Sequence, residues 1–281
     1  MLIRRSRHGF TLVELMLSLV LVLVVSGVLF RLVFSSQRLW RDQAARIAVQ
    51  SSMRGAVLVV SNELRELSSI PGGTGADNDI LSLGPSAMSY RAMRGFGSTC
   101  QSLGTGLLRL NRGSFTGYRD PQPGRDSALV YAPGLRSPAD SSWIPAAITS
   151  LSTSEPCPGT VGPALTLTAV ASPALDVVPA GTPVRVYEPM QVASYRSEGQ
   201  SWLGMRALGS GEAIQPLFGP LAEEGFRLEF ANASGAATVL PDAVRSIQVT
   251  LRGVSSAPEA GSGVQRVEQV TTMIQLRNAS R

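Results

Sequence analysis

Hydrophobic positions change their pattern three times along this chain of 281 residues. From Phe10 to Phe30 the sequence FTLVELMLSLVLVLVVSGVLF carries one charge in 21 residues. As a helix rising about 1.5 Å per residue it reaches about 31 Å, the thickness of a bilayer core, and so predicts a membrane span. After Arg31 the pattern turns amphipathic through Ser69. Met53, Val57, Val60, Leu64 and Leu67 recur at spacings of 4, 3, 4 and 3, one apolar stripe along a helix. Gly55 weakens that helix without breaking it, and Pro71-Gly72-Gly73 stops it. The spacing predicts a single long helix that begins in the membrane and ends by laying its stripe on a globular domain.

Residues 70–163 are rich in Gly, Ser and Pro, with short apolar pieces such as Ala128 to Ala132 that read as edge strands. From Leu165 onward the period drops to two: LTLTAV, then VRVYE, then VASYR and WLGMRAL. The last two are separated by Ser197-Glu198-Gly199-Gln200, a hairpin with its turn. FRLEF sets Phe226, Leu228 and Phe230 on one face, and SIQVTL and VEQVTTMIQLR continue the alternation. An antiparallel sheet with one covered face follows, and the helix stripe is what covers it. The expected fold class is α+β. Its expected divisions are 10–30 for the membrane half of the helix, 31–69 for the amphipathic half, 70–163 for a variable region and 164–281 for the sheet.

Glu14 stands inside the apolar run, where an acid costs roughly 2.5 to 3.5 kcal/mol at a membrane helix centre and less near its end. An intramembrane carboxylate marks a functional site by default. Around it the string Arg4-Arg5-Ser6-Arg7-His8-Gly9-Phe10-Thr11-Leu12-Val13-Glu14-Leu15 resembles the class III signal of type IV prepilins: a basic leader, then Gly, Phe, Thr, Leu, Val and Glu. The resemblance implies that residues 1–9 are a leader, that a prepilin peptidase cuts the Gly9-Phe10 bond, and that the new amine of Phe10 is methylated. It also implies that Glu14, the fifth mature residue, pairs with that amine on a neighbouring subunit. Two charges each costly in lipid become tolerable when they meet, so an unpaired carboxylate favours docking in register. A plain signal anchor with a stray acid, or a secretory signal cut after Val25-Ser26-Gly27, is the alternative. Charge does not choose the topology, because Arg4, Arg5 and Arg7 before the span are matched by Arg31, Arg38, Arg41 and Arg46 after it. The nine-residue stub on one side and the bulk of the chain on the other favour an inside amino terminus.

Composition narrows the chemistry mainly through what is missing. All 25 basic residues are Arg. Removing residues 1–9 takes three of them away, and the remaining 22 against 20 acids leave a weak case for nucleic acid as the partner. His8, the one histidine, leaves with the leader. Without Lys or His there is no phosphate-loop lysine, Schiff base, Ser-His or Cys-His dyad or imidazole ligand. No cofactor or metal is expected. Glu223-Glu224 and Asp77 with Asp79 remain as acid pairs, and in polar segments such pairs read as solvated. Arg109, Arg112, Phe115, Tyr118, Arg119 and Arg125 interleave cations with aromatics as single-stranded nucleic acid requires. With Asp120 and Asp126 beside them, they read as an ordinary exposed loop. Cys100 and Cys157 lie where an oxidising compartment allows one disulfide, worth roughly 4 kcal/mol on a loop-entropy basis. Two free buried thiols are the alternative. Asn232-Ala233-Ser234 and Asn278-Ala279-Ser280 match a glycosylation pattern but read as turn and tail.

Over the last hundred residues or so, the order VRVYE, hairpin, acidic segment, FRLEF, Asn-Ala-Ser-Gly turn, Pro241-Asp242-Ala243-Val244-Arg245 and SIQVTL resembles J-type pseudopilins and PilW-type minor pilins. The resemblance implies the pilin-like lollipop, a long N-terminal helix packed on an antiparallel β-sheet domain. It implies a structural subunit, without enzymatic activity, at the tip or initiating complex of a type IV pilus or type II secretion pseudopilus. The implied partners are the prepilin peptidase, other pilins or pseudopilins, and an inner-membrane assembly platform with its ATPase. The implied location is the inner membrane, crossed once, with the C-terminal domain periplasmic or extracellular. A pilus-borne adhesin or DNA-uptake subunit using residues 71–163 is a second reading, and a membrane-tethered hydrolase the third.

Overall fold

A computed structural model describes residues 11–71, 76–102, 107–117, 119–132, 142–152, 156–159, 165–169, 178–258 and 263–279. They fall into two compact units, one within Met1–Val49 and Ser255–Arg266, the other within Gln50–Val254 and Val267–Arg281. The architecture is α+β: one long helix, α1 (Leu12–Arg65), followed by strands that pair antiparallel, except that the first and last pair with each other in parallel. These are β1 (Ser68–Ser69), β2 (Ile80–Ser82), β3 (Ala87–Ser102), β4 (Leu107–Leu110), β5 (Thr116–Gly117), β6 (Ser127–Ala132) and β7 (Ser142–Ser152). They continue as β8 (Leu165–Ala169), β9 (Pro183–Ser197), β10 (Gln200–Ala207), β11 (Gln215–Ala231), β12 (Ser246–Pro258), β13 (Gln265–Gln275) and β14 (Asn278–Ala279).

The apolar stripe reaches the sheet through Met53, Val60, Leu64 and Leu67, all buried, with Ala56 buried and Val57 half-buried between them. At about 1.5 to 3 kcal/mol per large apolar side chain, this face ties the last four turns of α1 to the domain. Contact is close at Gly253 of β12, where a Cβ would lie 2.6 Å from Phe218 Cζ and 3.2 Å from Met53 Sδ. The helix stops at Arg65, short of Ser69. The Leu67 N–H turns back to the Leu64 carbonyl, and the Arg65 carbonyl accepts from the Arg277 N–H at 2.8 Å. Ser68 then donates its N–H to the Asp79 carboxylate at 2.8 Å and enters a parallel pairing with β14. Competing backbone partners end the helix before the proline does.

Strand order in the main sheet runs β13-β12-β11-β10-β9-β6-β7-β8-β4-β3-β2, and β9 also pairs with β3. The second pairing closes β3, β9, β6, β7, β8 and β4 into a six-stranded antiparallel ring. Leu108, Leu110, Ala128, Val130, Ala146, Ile148, Val184 and Val186 fill part of its core. β6 is therefore an interior strand, paired with β7 on one side and β9 on the other, and not the edge strand its short apolar run suggests. VRVYE and VASYR are one strand, β9. Pro189 is tolerated inside it because the outer edge passes there from β6, which pairs with Val184–Tyr187, to β10, which pairs with Met190–Ser197. The hairpin after β9 turns at Glu198 and Gly199, both at positive φ, the geometry of a two-residue turn that follows strand twist.

Phe115 packs against the ring core over a floor of glycines. A Cβ at Gly95 would lie 2.6 Å from Phe115 Cζ, and one at Gly97 3.2 Å from Phe115 Cδ2. Gly95→Ala is expected to cost about 1 to 3 kcal/mol by overpacking, read as a lower urea midpoint of the full chain in detergent. An unchanged midpoint would contradict this packing.

Candidate assembly site

Helix α1 begins with a reciprocal cap. Glu14 donates its N–H to Thr11 Oγ1 at 3.3 Å, while the Thr11 N–H and hydroxyl both donate to Glu14 Oε2 at 3.2 Å. This is a capping box, Thr at the N-cap and Glu three residues on, and it satisfies donors that a helix start otherwise leaves open. The signal is legible in the sequence as Thr11-Leu12-Val13-Glu14, and the acid expected to wait for a partner has a local one in Thr11. Glu14 is exposed and sits in the first turn, where helix dipole and carboxylate attract. Gly9 and Phe10 lie outside the described residues.

Beyond the cap, every large apolar side chain from Leu12 to Phe34 is at least 46% exposed. The segment contains an 18-residue window of mean hydropathy 2.7 with none of it buried, so it is long and apolar enough to cross a membrane. Its polar side chains are reconciled with lipid locally: Ser18 and Ser35 donate their hydroxyls to the Leu15 and Leu32 carbonyls, each at 2.9 Å. The Glu14 carboxylate, held locally by Thr11, thus stands at the tip of an apolar helix that no described residue covers.

The other singled-out residues have structural employment. Arg112 pairs with Asp120, Arg119 with both oxygens of the buried Asp126, and Arg125 with Glu188 and Glu212. Arg109 donates to Gln101 at 3.0 Å and to the Pro156 carbonyl at 3.3 Å. Tyr118 lies outside the described residues. The stretch is thus no ordinary exposed loop but an ion-paired wall, with Asp126 2% exposed. Its centre is Glu188, 2% exposed, which accepts from Arg94 Nε at 2.6 Å and from Arg125. Arg94 occupies the irregularity between Met93 and Gly95 in β3 and also reaches Glu63 of α1 at 3.4 Å. A bulge re-aims a side chain in this way, and here it links helix to sheet. Beneath it Tyr90 is fully buried, its phenol pushed well above the ordinary range by burial and then by the charge of Glu63.

Glu223 and Glu224 are exposed where β11 loses register with β12. Asp79, by contrast, is not solvated: it is 3% exposed, holds the Ser68 N–H and meets Arg185 at 3.2 Å. Burial raises its pKa above the ordinary 3.8, more than Arg185 lowers it. The folded state then holds a proton that the unfolded state releases, so stability falls as pH rises through that window and is regained on acidification. Wild type is expected to gain stability relative to Asp79→Asn between pH 7 and about 4, read from paired urea midpoints. Parallel pH curves would refute the assignment. Cys100 and Cys157 are bonded, their Cα atoms 5.8 Å apart, joining the end of β3 to the segment after β7. Asn232 is occupied as a turn residue, its Oδ1 accepting the N–H groups of Ser234 and Ala236, each at 3.0 Å.

No curated protein and no solved structure matches the chain. Residues 4–30 match the family model of the prokaryotic N-terminal methylation motif, which covers the basic residues up to Gly9, the capped first turn and the exposed apolar helix, and makes this chain prepilin-like at its amino terminus.

Proposed function

We propose that this protein is a minor pilin or pseudopilin, a structural subunit of a type IV pilus or type II secretion pseudopilus that works by assembly and not by catalysis. In this reading residues 1–9 are the leader, prepilin peptidase cuts after Gly9, and Phe10 receives the methyl group. Residues 10–30 anchor the subunit in the inner membrane and hold the C-terminal domain on the far side. Glu14 meets the amine of a neighbouring pilin, and the filament grows on an inner-membrane platform. The order of segments after Val184, which resembles that of PilW-type minor pilins and J-type pseudopilins, supports a minor subunit of the tip or initiating complex.

The observation that carries the proposal is the methylation motif running without a break into a helix whose apolar side chains are uncovered and whose first turn holds a carboxylate. An anchor alone requires the apolar helix but neither the Gly-Phe junction nor the acid. The DNA-uptake alternative loses support in residues 71–163 because Arg112, Arg119 and Arg125 there are paired with Asp120, Asp126, Glu188 and Glu212. The test is coexpression of the full chain with active or catalytically dead prepilin peptidase and mass spectrometry of the amino terminus. N-methylated Phe10 that depends on the active enzyme is expected. An intact Met1 in both strains, or a cut after Gly27, would overturn the proposal.

A further inference from the structure

Past Phe30 the helix carries charge that neither the anchor nor the ion-pair network employs. Arg31, Arg38 and Arg41 are exposed, and at 100° per residue they fall within an arc of about 80° on one side of α1. Asp42 is the only acid between Glu14 and Glu63. Leu12 to Phe30 spans about 28 Å, so Arg31 falls at the far edge of a hydrocarbon core about 30 Å thick. Arg38 and Arg41 follow roughly 10 and 15 Å beyond it. Helical side chains lean toward the amino terminus, which here turns these two guanidinium groups back toward the bilayer, within reach of its headgroups. Trp40, 70% exposed, lies between them in sequence with the apolar ring and polar N–H that suit the same depth.

We propose that Arg31, Arg38, Arg41 and Trp40 form a collar that binds the phosphodiester groups of anionic phospholipids in the leaflet the chain reaches last. The inference rests on residues 12–30 being embedded in the membrane. Guanidinium forks match phosphate oxygens two bonds at a time, and weak hydration lets them hold those contacts at the edge of lipid. Depth selects lipid over other polyanions, because the apolar run fixes the collar at headgroup level. The collar sets how far α1 enters the bilayer and must be released before the helix is withdrawn into a filament.

The test uses the full chain in detergent micelles, given equal phosphatidylcholine and phosphatidylglycerol, with retained lipid counted by native mass spectrometry. Phosphatidylglycerol is expected to be retained over phosphatidylcholine by roughly tenfold. The triple variant Arg31→Gln, Arg38→Gln, Arg41→Gln is expected to lose the preference, and millimolar inorganic phosphate to leave it intact in wild type. Equal retention of the two lipids, an unchanged preference in the variant, or displacement by inorganic phosphate would each overturn the collar. Alkaline carbonate extraction of membranes separates the two readings. Release of the wild type would remove the anchor itself, whereas membrane-bound protein without lipid preference would remove only the collar.

Discussion

Glu188→Ala is expected to lower the stability of the globular residues by about 3 kcal/mol. The carboxylate is almost fully enclosed and accepts from Arg94 and Arg125, with Arg119 3.6 Å away. Removing one partner of a buried ion pair typically costs about 3 to 5 kcal/mol, because the remaining charge has lost both water and counter-charge. The low end applies here, since Arg94 keeps Glu63, Arg119 keeps Asp126 and Arg125 keeps Glu212. Arg94→Met in the Glu188→Ala background should recover part of the loss, as the stranded cation is then gone. Urea denaturation of the full chain in detergent, followed by tryptophan emission, measures both. A strictly additive double variant would show that the two residues do not act as a pair.

Glu14→Gln is expected to reduce incorporation into filaments at least about tenfold while leaving membrane insertion and the helix start intact. Gln serves the third position of a capping box as Glu does, so the bonds to Thr11 have a replacement whereas the charge does not. Thr11→Ala makes the converse change, weakening the cap while keeping the carboxylate, and is expected to assemble at near wild-type levels. Quantifying sheared filaments against the membrane-bound pool distinguishes the two. Loss of assembly in Thr11→Ala with normal assembly of Glu14→Gln would reassign Glu14 to a local role in starting the helix.

The contrast between these two acids separates what was readable in the chain from what was not. Glu14 is conspicuous because Leu12, Val13, Leu15, Met16 and Leu17 around it are apolar. The cost of a charge in that run and the Gly-Phe-Thr-Leu-Val-Glu string are both local facts. The same holds for the α1 stripe, whose 4-3 spacing puts Met53, Val60, Leu64 and Leu67 on one line before any partner is known, and for the β9–β10 hairpin, whose turn residues are adjacent. Glu188 gives no such signal. In VRVYEPM it reads as one polar position of an alternating strand, and only pairing of β3 with β9 brings Arg94 to it across 94 positions of sequence.

β3 itself is not legible in the sequence for a related reason. Gly95 and Gly97 are small because Phe115 fills the space above them, and a glycine read alone signals a turn. Asp79 looked solvated because its segment is polar, yet Arg185 and the backbone of Ser68 close over it. Period and local cost thus determined the membrane helix, its acid, the apolar stripe and the antiparallel sheet. Closure of the six-stranded ring, the inward turn of Arg94 and the burial of Asp79 and Glu188 were decided by tertiary structure, because each depends on residues that meet only after distant strands have paired.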